Sequence, residues 1–206
     1  FSTAKYINIE GIKIWTQRLS YVGELGYELY IKSEDAKKIY ELLVNKGKNF
    51  NLSNCGMHAM DIMRMESGFL HWGHDISPEE NQYQAGLSFA ISKSKSIDFI
   101  GKKALEKIKK DRVKNRFLMF TLENSKPGEP LLLHDEPIYL EEKIIGRTTS
   151  GNYSFNFKKN LMFGYVKNDF SNDELQKKKL FVEVEKQKYP IKLNLKPLKQ
   201  TNYKNI

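Results

Sequence analysis

Cysteine is almost absent from this 206-residue chain, since Cys55 is the single one. A lone thiol cannot form an internal disulfide, so we expect a protein of the reducing cytoplasm. No specific catalytic motif surrounds Cys55, and a small buried hydrophobe is its expected role. The sequence also lacks an apolar run long enough to span a membrane, because its longest apolar runs have the length of a strand. We therefore expect no membrane partner.

Arginine is scarce too, although the chain carries a formal net charge of +9. Only five of its 34 basic residues are arginines, and the lysines are spread along the whole chain. Arginine is the residue favoured for bidentate contacts to phosphates and bases, so the composition argues against a nucleic acid partner. A small polyanionic molecule stays compatible with a diffuse positive field.

Histidine occurs four times, and one pair of histidines has the spacing of a metal motif. His71 and His74 are three residues apart, and Asp75 follows them in an aromatic-rich loop over residues 69–78. No third histidine or cysteine follows at ligand spacing. We therefore expect no metal site.

The N-terminal half mixes strand and helix patterns. Met57, Met60 and Met63 lie along one side of one predicted helix and are expected to fill the core. The predicted elements are a hairpin of residues 6–9 and 12–15 around Glu10 and Gly11, a helix over 33–47 capped by Ser33, a helix over 57–67, a short strand over 86–91 and a helix ending near Lys110.

Short strands with regular turn signals fill the chain from residue 116 onward, and no segment there is typical of a helix. The predicted strands are 116–122, 137–140, 143–148, 161–166, 180–185 and 189–195. This pattern favours a small barrel or sandwich. We place the domain boundary so that residues 1–111 form an α+β domain and residues 112–206 form a small antiparallel β-barrel.

The stretch of residues 20–31 carries the most informative pattern. Gly23 and Gly26 permit a sharp bend, and the next five residues alternate as in a strand. Glu28 and Tyr30 therefore share one face. A carboxylate can accept two parallel N–H bonds from a flat, amide-like heterocycle, and a phenol beside it can stack or form a hydrogen bond. The alternative is that both side chains face solvent on an ordinary half-exposed strand.

Several motifs in order resemble the glycine cleavage T-protein (aminomethyltransferase) superfamily. The matching segments are YVGELGYE at 21–28, AMDIMRMESG at 59–68, FIGKKAL at 99–105, and 146–150 with 164–166. Two others, HWGHDIS at 71–77 and EPIY at 136–139, look closer to the folate-binding C-terminal region of dimethylglycine and sarcosine dehydrogenases. The resemblance implies part of a folate-binding domain, with a mixed sheet and helices, followed by the C-terminal barrel.

The same resemblance implies tetrahydrofolate as the cofactor. It gives Glu28 the role of holding the pterin and places Tyr30 against the ring system. Tyr21, Glu24 and Trp72 are further candidates for lining the pocket. The implied partners are folate and a small methylated amine or aminomethyl donor.

Two features depart from the family pattern. Met60 stands where T-proteins usually carry an arginine thought to help bind folate, and Arg64 is expected to pair with Asp61 or Glu66 rather than with ligand. The catalytic aspartate of the family lies in an Asn-Asn-Gly-type motif of the N-terminal half, so no residue here is predicted to be catalytic. The chain starts at Phe1 without an initiator methionine. We expect a piece of something longer, or a processed chain.

Three functions remain open at this point. The first is tetrahydrofolate-dependent aminomethyl transfer, as in a T-protein or a dimethylglycine/sarcosine dehydrogenase, whose FAD would belong to a missing N-terminal domain. The second is a demethylase that passes a methyl group to tetrahydrofolate. The third is a folate-binding module without catalysis, which Met60 and the missing aspartate favour. Taken alone, the chain is expected to bind folate weakly or not at all, and the missing N-terminal portion is a candidate partner.

Overall fold

The computed structural model describes residues 2–92, 98–108 and 113–200. The chain divides into two compact units. The first runs to Ser67 and takes in the chain from Lys199, and the second spans Gly68–Leu198. The predicted boundary between residues 111 and 112 falls outside the described residues and stays a prediction. Within the described ranges, no helix has the length and apolar character needed to cross a membrane.

A three-stranded antiparallel sheet in the order β1-β2-β3 organises the first unit. Strands β1 (Thr3–Ile9) and β2 (Ile12–Arg18) form the predicted hairpin. Its two turn residues, Glu10 and Gly11, have φ values of 51° and 84°, as in the two-residue turns whose twist matches that of the strands. Strand β3 (Glu28–Tyr30) pairs with β2 on the other side.

The two faces of this sheet differ sharply in burial. Ile14 and Thr16 on β2 are buried. Lys13 and Gln17 point to the opposite face, where Lys13 is exposed and Gln17 is half-buried. Because side chains alternate along a strand, the buried positions define one packed face of the sheet. The other face remains open to solvent in the chain as it stands.

Two longer helices complete the first unit. They are α1 (Ser33–Gly47), followed by a 3-10 helix (Lys48–Phe50), and α2 (Met57–Glu66). Both helices lie where the sequence predicts them. The prediction that Ser33 caps α1 is wrong, because the N-cap residue is Lys32 and its side chain makes no capping bond.

Two packing predictions in this unit are also wrong. Met57 is 69% exposed, because the buried side of α2 is centred on Ile62 and Met65 rather than on the predicted methionine stripe. Cys55 is exposed rather than buried, since it lies in the exposed segment that precedes α2.

A closed six-stranded antiparallel barrel in the order β4-β7-β6-β5-β8-β9 organises the second unit. Its interior is apolar, with Phe120, Ile138 and Val182 fully buried among the core residues. The strands are β4 (Asn115–Leu122), β5 (Pro137–Leu140), β6 (Lys143–Ser154), β7 (Lys159–Lys167), β8 (Leu180–Val184) and β9 (Gln187–Asn194). All six lie where the sequence predicts strands, and the barrel is confirmed.

The connecting segments differ from prediction in two places. Residues 86–91 contain a 3-10 helix (Ser88–Ala90) instead of a strand. The barrel half carries an unpredicted helix, α4 (Asn172–Lys177), which Ser171 and Glu174 close with a reciprocal capping box. Helix α3 (Lys102–Lys107) confirms the predicted helix before the barrel, although the predicted end near Lys110 lies outside the described residues.

Candidate functional site

Strand β3 presents Glu28 and Tyr30 on the same face of the sheet, as predicted. The Tyr30 hydroxyl donates a hydrogen bond of 2.7 Å to Oε2 of Glu28, and both side chains are exposed. Leu29 between them is half-buried and points to the other face. The hydrogen bond to Glu28, with desolvation and the nearby negative charge, raises the pKa of the Tyr30 phenol above its usual value. Tyr30 therefore stays a hydrogen-bond donor at neutral pH.

The bond from Tyr30 leaves most of the acceptor capacity of the carboxylate available. An ionised carboxylate has about four lone-pair sites, and the phenol occupies one of them on Oε2. Oε1 and the remaining lone pair of Oε2 can accept two parallel N–H bonds. The phenol also limits rotation of the carboxylate, so the acceptor pair has a preferred orientation.

The turn before β3 depends on close backbone packing. A Cβ atom at Gly26 would lie 2.6 Å from the Leu19 carbonyl oxygen, so a larger residue does not fit there. Gly23 has a φ of 71°, in the region that favours glycine. The backbone N–H of Glu24 donates to Oγ of Ser20 at 2.9 Å. These contacts set the direction in which β3 leaves the turn.

Two residues from elsewhere in the first unit hold this turn. Ser67 Oγ donates to the Val22 carbonyl oxygen at 3.2 Å, and Lys199 Nζ donates to the same oxygen at 3.4 Å. Lys199 also forms an ion pair with Glu24, one of the predicted pocket residues. Tyr21, another predicted pocket residue, is half-buried in the same turn. A role in ligand binding stays a prediction for both Glu24 and Tyr21.

The strand register reveals neighbours of Glu28 and Tyr30 that the sequence analysis missed. Gln17 lies opposite Glu28, and Trp15 lies opposite Tyr30. Tyr6 in turn lies opposite Trp15, with the ring centroids 4.9 Å apart. The predicted hairpin already implied that Tyr6 and Trp15 share a face, but the pairing of β2 with β3 was needed to place Tyr30 beside them.

Helix α2 contains an ion pair between two of its own side chains. Arg64 is only 1% exposed, and its Nε and Nη2 atoms lie 2.9 and 2.8 Å from Oδ1 of Asp61. The predicted pairing of Arg64 with Asp61 is confirmed. Met60, on the same helix, is half-buried.

Trp72, the last predicted pocket residue, lies in a loop of the second unit and is 65% exposed. The loop is held by Asp75, whose buried carboxylate accepts hydrogen bonds from Thr149 Oγ1 at 2.5 Å, Ser150 Oγ at 2.8 Å and the backbone N–H of His71 at 2.9 Å. The His71 and His74 rings stack with centroids 4.5 Å apart. No group of three acidic, histidine or cysteine side chains in the described part of the chain has the arrangement of a metal site.

Comparison with known proteins connects both units to one family. Residues 1–95 match the GCVT N-terminal domain, and residues 115–199 match the glycine cleavage T-protein C-terminal barrel domain. The chain is 35% identical to mitochondrial dimethylglycine dehydrogenase of Rattus norvegicus over 96% of its residues. The chain is also 34% identical to the aminomethyltransferase of Symbiobacterium thermophilum, in an alignment that covers 81% of the chain.

A solved structure has the same fold. Aminomethyltransferase T of the glycine cleavage system from Bartonella henselae superposes with a TM-score of 0.79 over 92% of the chain, at 22% sequence identity. The chain spans 51% of that protein, 44% of the Symbiobacterium aminomethyltransferase and 22% of the rat dehydrogenase. These relatives are therefore about two to five times as long as the region they share with the chain.

Proposed function

Because the chain belongs to the glycine cleavage T-protein family, we propose that it is the folate-binding portion of an enzyme that transfers a one-carbon unit to tetrahydrofolate. The donor is an aminomethyl group or a small methylated amine, as the dehydrogenase and aminomethyltransferase relatives suggest. In the dehydrogenase case, the FAD belongs to a part of the protein outside this chain. The site proposed here concerns folate alone.

The observation that carries the proposal is the pairing of Glu28 and Tyr30 on the open face of the sheet. The 2-amino-4-oxo edge of a pterin presents two neighbouring N–H donors. The Glu28 carboxylate offers two acceptor oxygens with the matching spacing. A hydrogen bond from an N–H group to an ionised carboxylate is among the stronger hydrogen bonds in proteins. The residues present therefore fit the group, and the Tyr30 phenol beside the carboxylate supports the proposal.

The contribution of this chain to the reaction is to bind and orient. Tetrahydrofolate supplies the nitrogen that accepts the one-carbon unit. Glu28 holds the pterin at its far edge, and the turn fixed by Lys199 and Ser67 holds β3 at a constant angle. Such positioning lowers the entropic cost of bringing two reactants together. No residue of this chain is proposed as a general acid or base.

A folate-binding module without catalysis is a second candidate function, and Met60 favours it. The resemblance to T-proteins implies an arginine at this position, and the Met60 thioether offers neither charge nor hydrogen-bond donors in its place. An Asn-Asn-Gly-type motif followed by an aspartate, encoded upstream of Phe1, would favour the enzyme. A flavin spectrum of the intact polypeptide would distinguish a dehydrogenase from a demethylase.

We expect the Glu28→Ala variant of the full chain to lose about 1.5–3 kcal/mol of binding free energy for folinic acid, the range for hydrogen bonds to a charged group. The loss corresponds to roughly 10- to 150-fold in the dissociation constant. Isothermal titration calorimetry with folinic acid, a stable reduced folate, measures both proteins directly.

The matched control is Glu41→Gln, which removes another exposed carboxylate from the same unit, on helix α1. It should bind folinic acid as the wild type does. Equal affinities for wild type and Glu28→Ala would reject Glu28 as the pterin anchor.

A further inference from the structure

The barrel unit has a surface cavity of about 760 Å³ beside helix α4, which we call the α4 cavity. Four of its lining residues, Leu175, Leu180, Ile191 and Leu193, are buried and belong to the apolar core of the barrel. The cavity therefore leads from the surface to the edge of that core. Its volume lies within the range of sites for small molecules, about 300–1,000 Å³.

Three exposed lysines, Lys178, Lys179 and Lys192, line the same cavity. Lys192 donates a hydrogen bond of 2.8 Å to the carboxylate of Glu123 and lowers the pKa of that carboxyl group, so these two charges balance each other. Among the described residues, no carboxylate lies within ion-pair distance of Lys178 or Lys179. The lining therefore carries a net positive charge beside its apolar floor.

Backbone hydrogen bonds hold the segment that carries Lys178 and Lys179. The backbone N–H of Lys178 donates to the Glu174 carbonyl oxygen at 3.2 Å, and the backbone N–H of Glu141 donates to the Lys179 carbonyl oxygen at 2.8 Å. Neither bond uses a lysine side-chain atom. The two ammonium groups can therefore bind a ligand from a backbone that the helix end and the barrel already fix, and either side chain can be exchanged without loss of these bonds.

We propose that the α4 cavity binds a small amphipathic carboxylate, with its apolar body against the leucine and isoleucine floor and its carboxylate near Lys178 and Lys179. A small inorganic anion would leave the apolar floor in water, and a neutral apolar molecule would gain nothing from the two ammonium groups. A ligand with both parts matches both groups of lining residues. The inference is independent of the folate site, because every lining residue belongs to the second unit.

The two interactions should contribute differently to affinity. Burial of the apolar body supplies most of it, because this term scales with the area removed from water. The lysines are exposed, so each adds little, and their contribution weakens as salt is added. Their main effect is to select a charged ligand over a neutral ligand of the same size.

The test titrates the full chain with octanoate, 1-octanol and acetate, followed by ¹H–¹⁵N nuclear magnetic resonance. Octanol lacks the charge of octanoate, and acetate lacks its apolar chain. We expect octanoate to shift the amide signals of Leu175, Leu180 and Ile191 saturably. Octanol should bind about tenfold more weakly at low salt, since each lysine contributes about threefold, and acetate should give no saturable shift.

Two variants remove the two interactions separately. The double variant Lys178→Gln/Lys179→Gln should bind octanoate about tenfold more weakly at low salt and octanol as the wild type does. Gln176 is an exposed lining residue on α4, so Gln176→Trp places a large ring in the cavity without disturbing the core. This variant should bind both ligands about tenfold or more weakly.

The matched controls are Lys177→Gln and Lys177→Trp. Lys177 is exposed and follows Gln176 on α4, but it does not line the cavity. Both control variants should bind octanoate and octanol as the wild type does. Thermal midpoints close to that of the wild type show that all the variants are folded.

Equal octanoate affinity in the wild type and the double lysine variant would overturn the proposal, as would equal wild-type affinity for octanoate and octanol, because the lysines would then select no anion. The absence of saturable octanoate binding, or shifts confined to residues away from the cavity, would also overturn it. Self-association of the wild type that Gln176→Trp abolishes, without octanoate binding, would assign the cavity to a second copy of the chain instead.

Discussion

Replacing Asp75 with alanine is expected to lower the free energy of unfolding by about 3–5 kcal/mol. The carboxylate is 1% exposed and accepts hydrogen bonds from Thr149, Ser150 and the backbone of His71. Its removal takes a buried, charged acceptor from these donors, and hydrogen bonds to charged groups contribute about 1.5–3 kcal/mol each. Urea denaturation of variant and wild type measures the difference.

The control for this variant is Asp135→Ala in the same unit. Asp135 is more than half exposed and pairs with Arg147 at the surface. Exposed ion pairs contribute about 0–1 kcal/mol, so this variant should unfold close to the wild type. If both aspartate variants lose the same small amount, the network around Asp75 does not hold the loop that carries Trp72.

A second large effect is expected for Gly146→Ala. Gly146 lies on β6 between β5 and β7, and a Cβ atom there would be 2.0 Å from the Tyr165 carbonyl oxygen and 2.8 Å from Val166 Cα. Both are backbone atoms of the paired strand, so the clash is relieved only if the two strands separate. We expect a loss of about 3 kcal/mol or more in the free energy of unfolding.

Gly56→Ala is the matched control, because a Cβ atom at Gly56 meets nothing within 4 Å and its φ is −79°. Its cost should stay near that of replacing an N-cap glycine, about 1 kcal/mol or less. Chemical denaturation followed by far-UV circular dichroism compares the two variants. A Gly146→Ala protein as stable as Gly56→Ala would mean that the barrel strands are not packed as closely as the structure places them.

The fold was predictable from the sequence wherever a local period decides the structure. Strand alternation located the hairpin, the six barrel strands and the common side of Glu28 and Tyr30. The capping box at Ser171 was also readable, but α4 has only six residues and so shows no helical period. Residues 86–91, expected to form a strand, contain a 3-10 helix instead. This apolar segment is so short that its hydrophobic periodicity does not distinguish a strand from a turn.

The parts that sequence reasoning missed depend on contacts between distant residues. The pairing of Trp15 with Tyr30 spans the turn before β3, and no local pattern fixes that register. The burial of Arg64 and Glu66 on α2 likewise depends on what packs against the helix, whereas the methionine stripe suggested a different buried side. The neighbouring positions of Tyr6, Trp15 and Tyr30 could therefore be recognised only once the strands were placed.

The measurement that tests the central claim most directly pairs the Glu28→Ala variant with a folate whose 2-amino group is replaced by methyl. Against the wild type, the altered ligand should bind about 1.5–3 kcal/mol more weakly than its parent, because a charge-assisted hydrogen bond is lost. Against Glu28→Ala, the two ligands should differ by no more than about 0.5 kcal/mol, since the acceptor is already gone. An equal penalty in both proteins would contradict the account, because the 2-amino group would then be recognised by something other than Glu28.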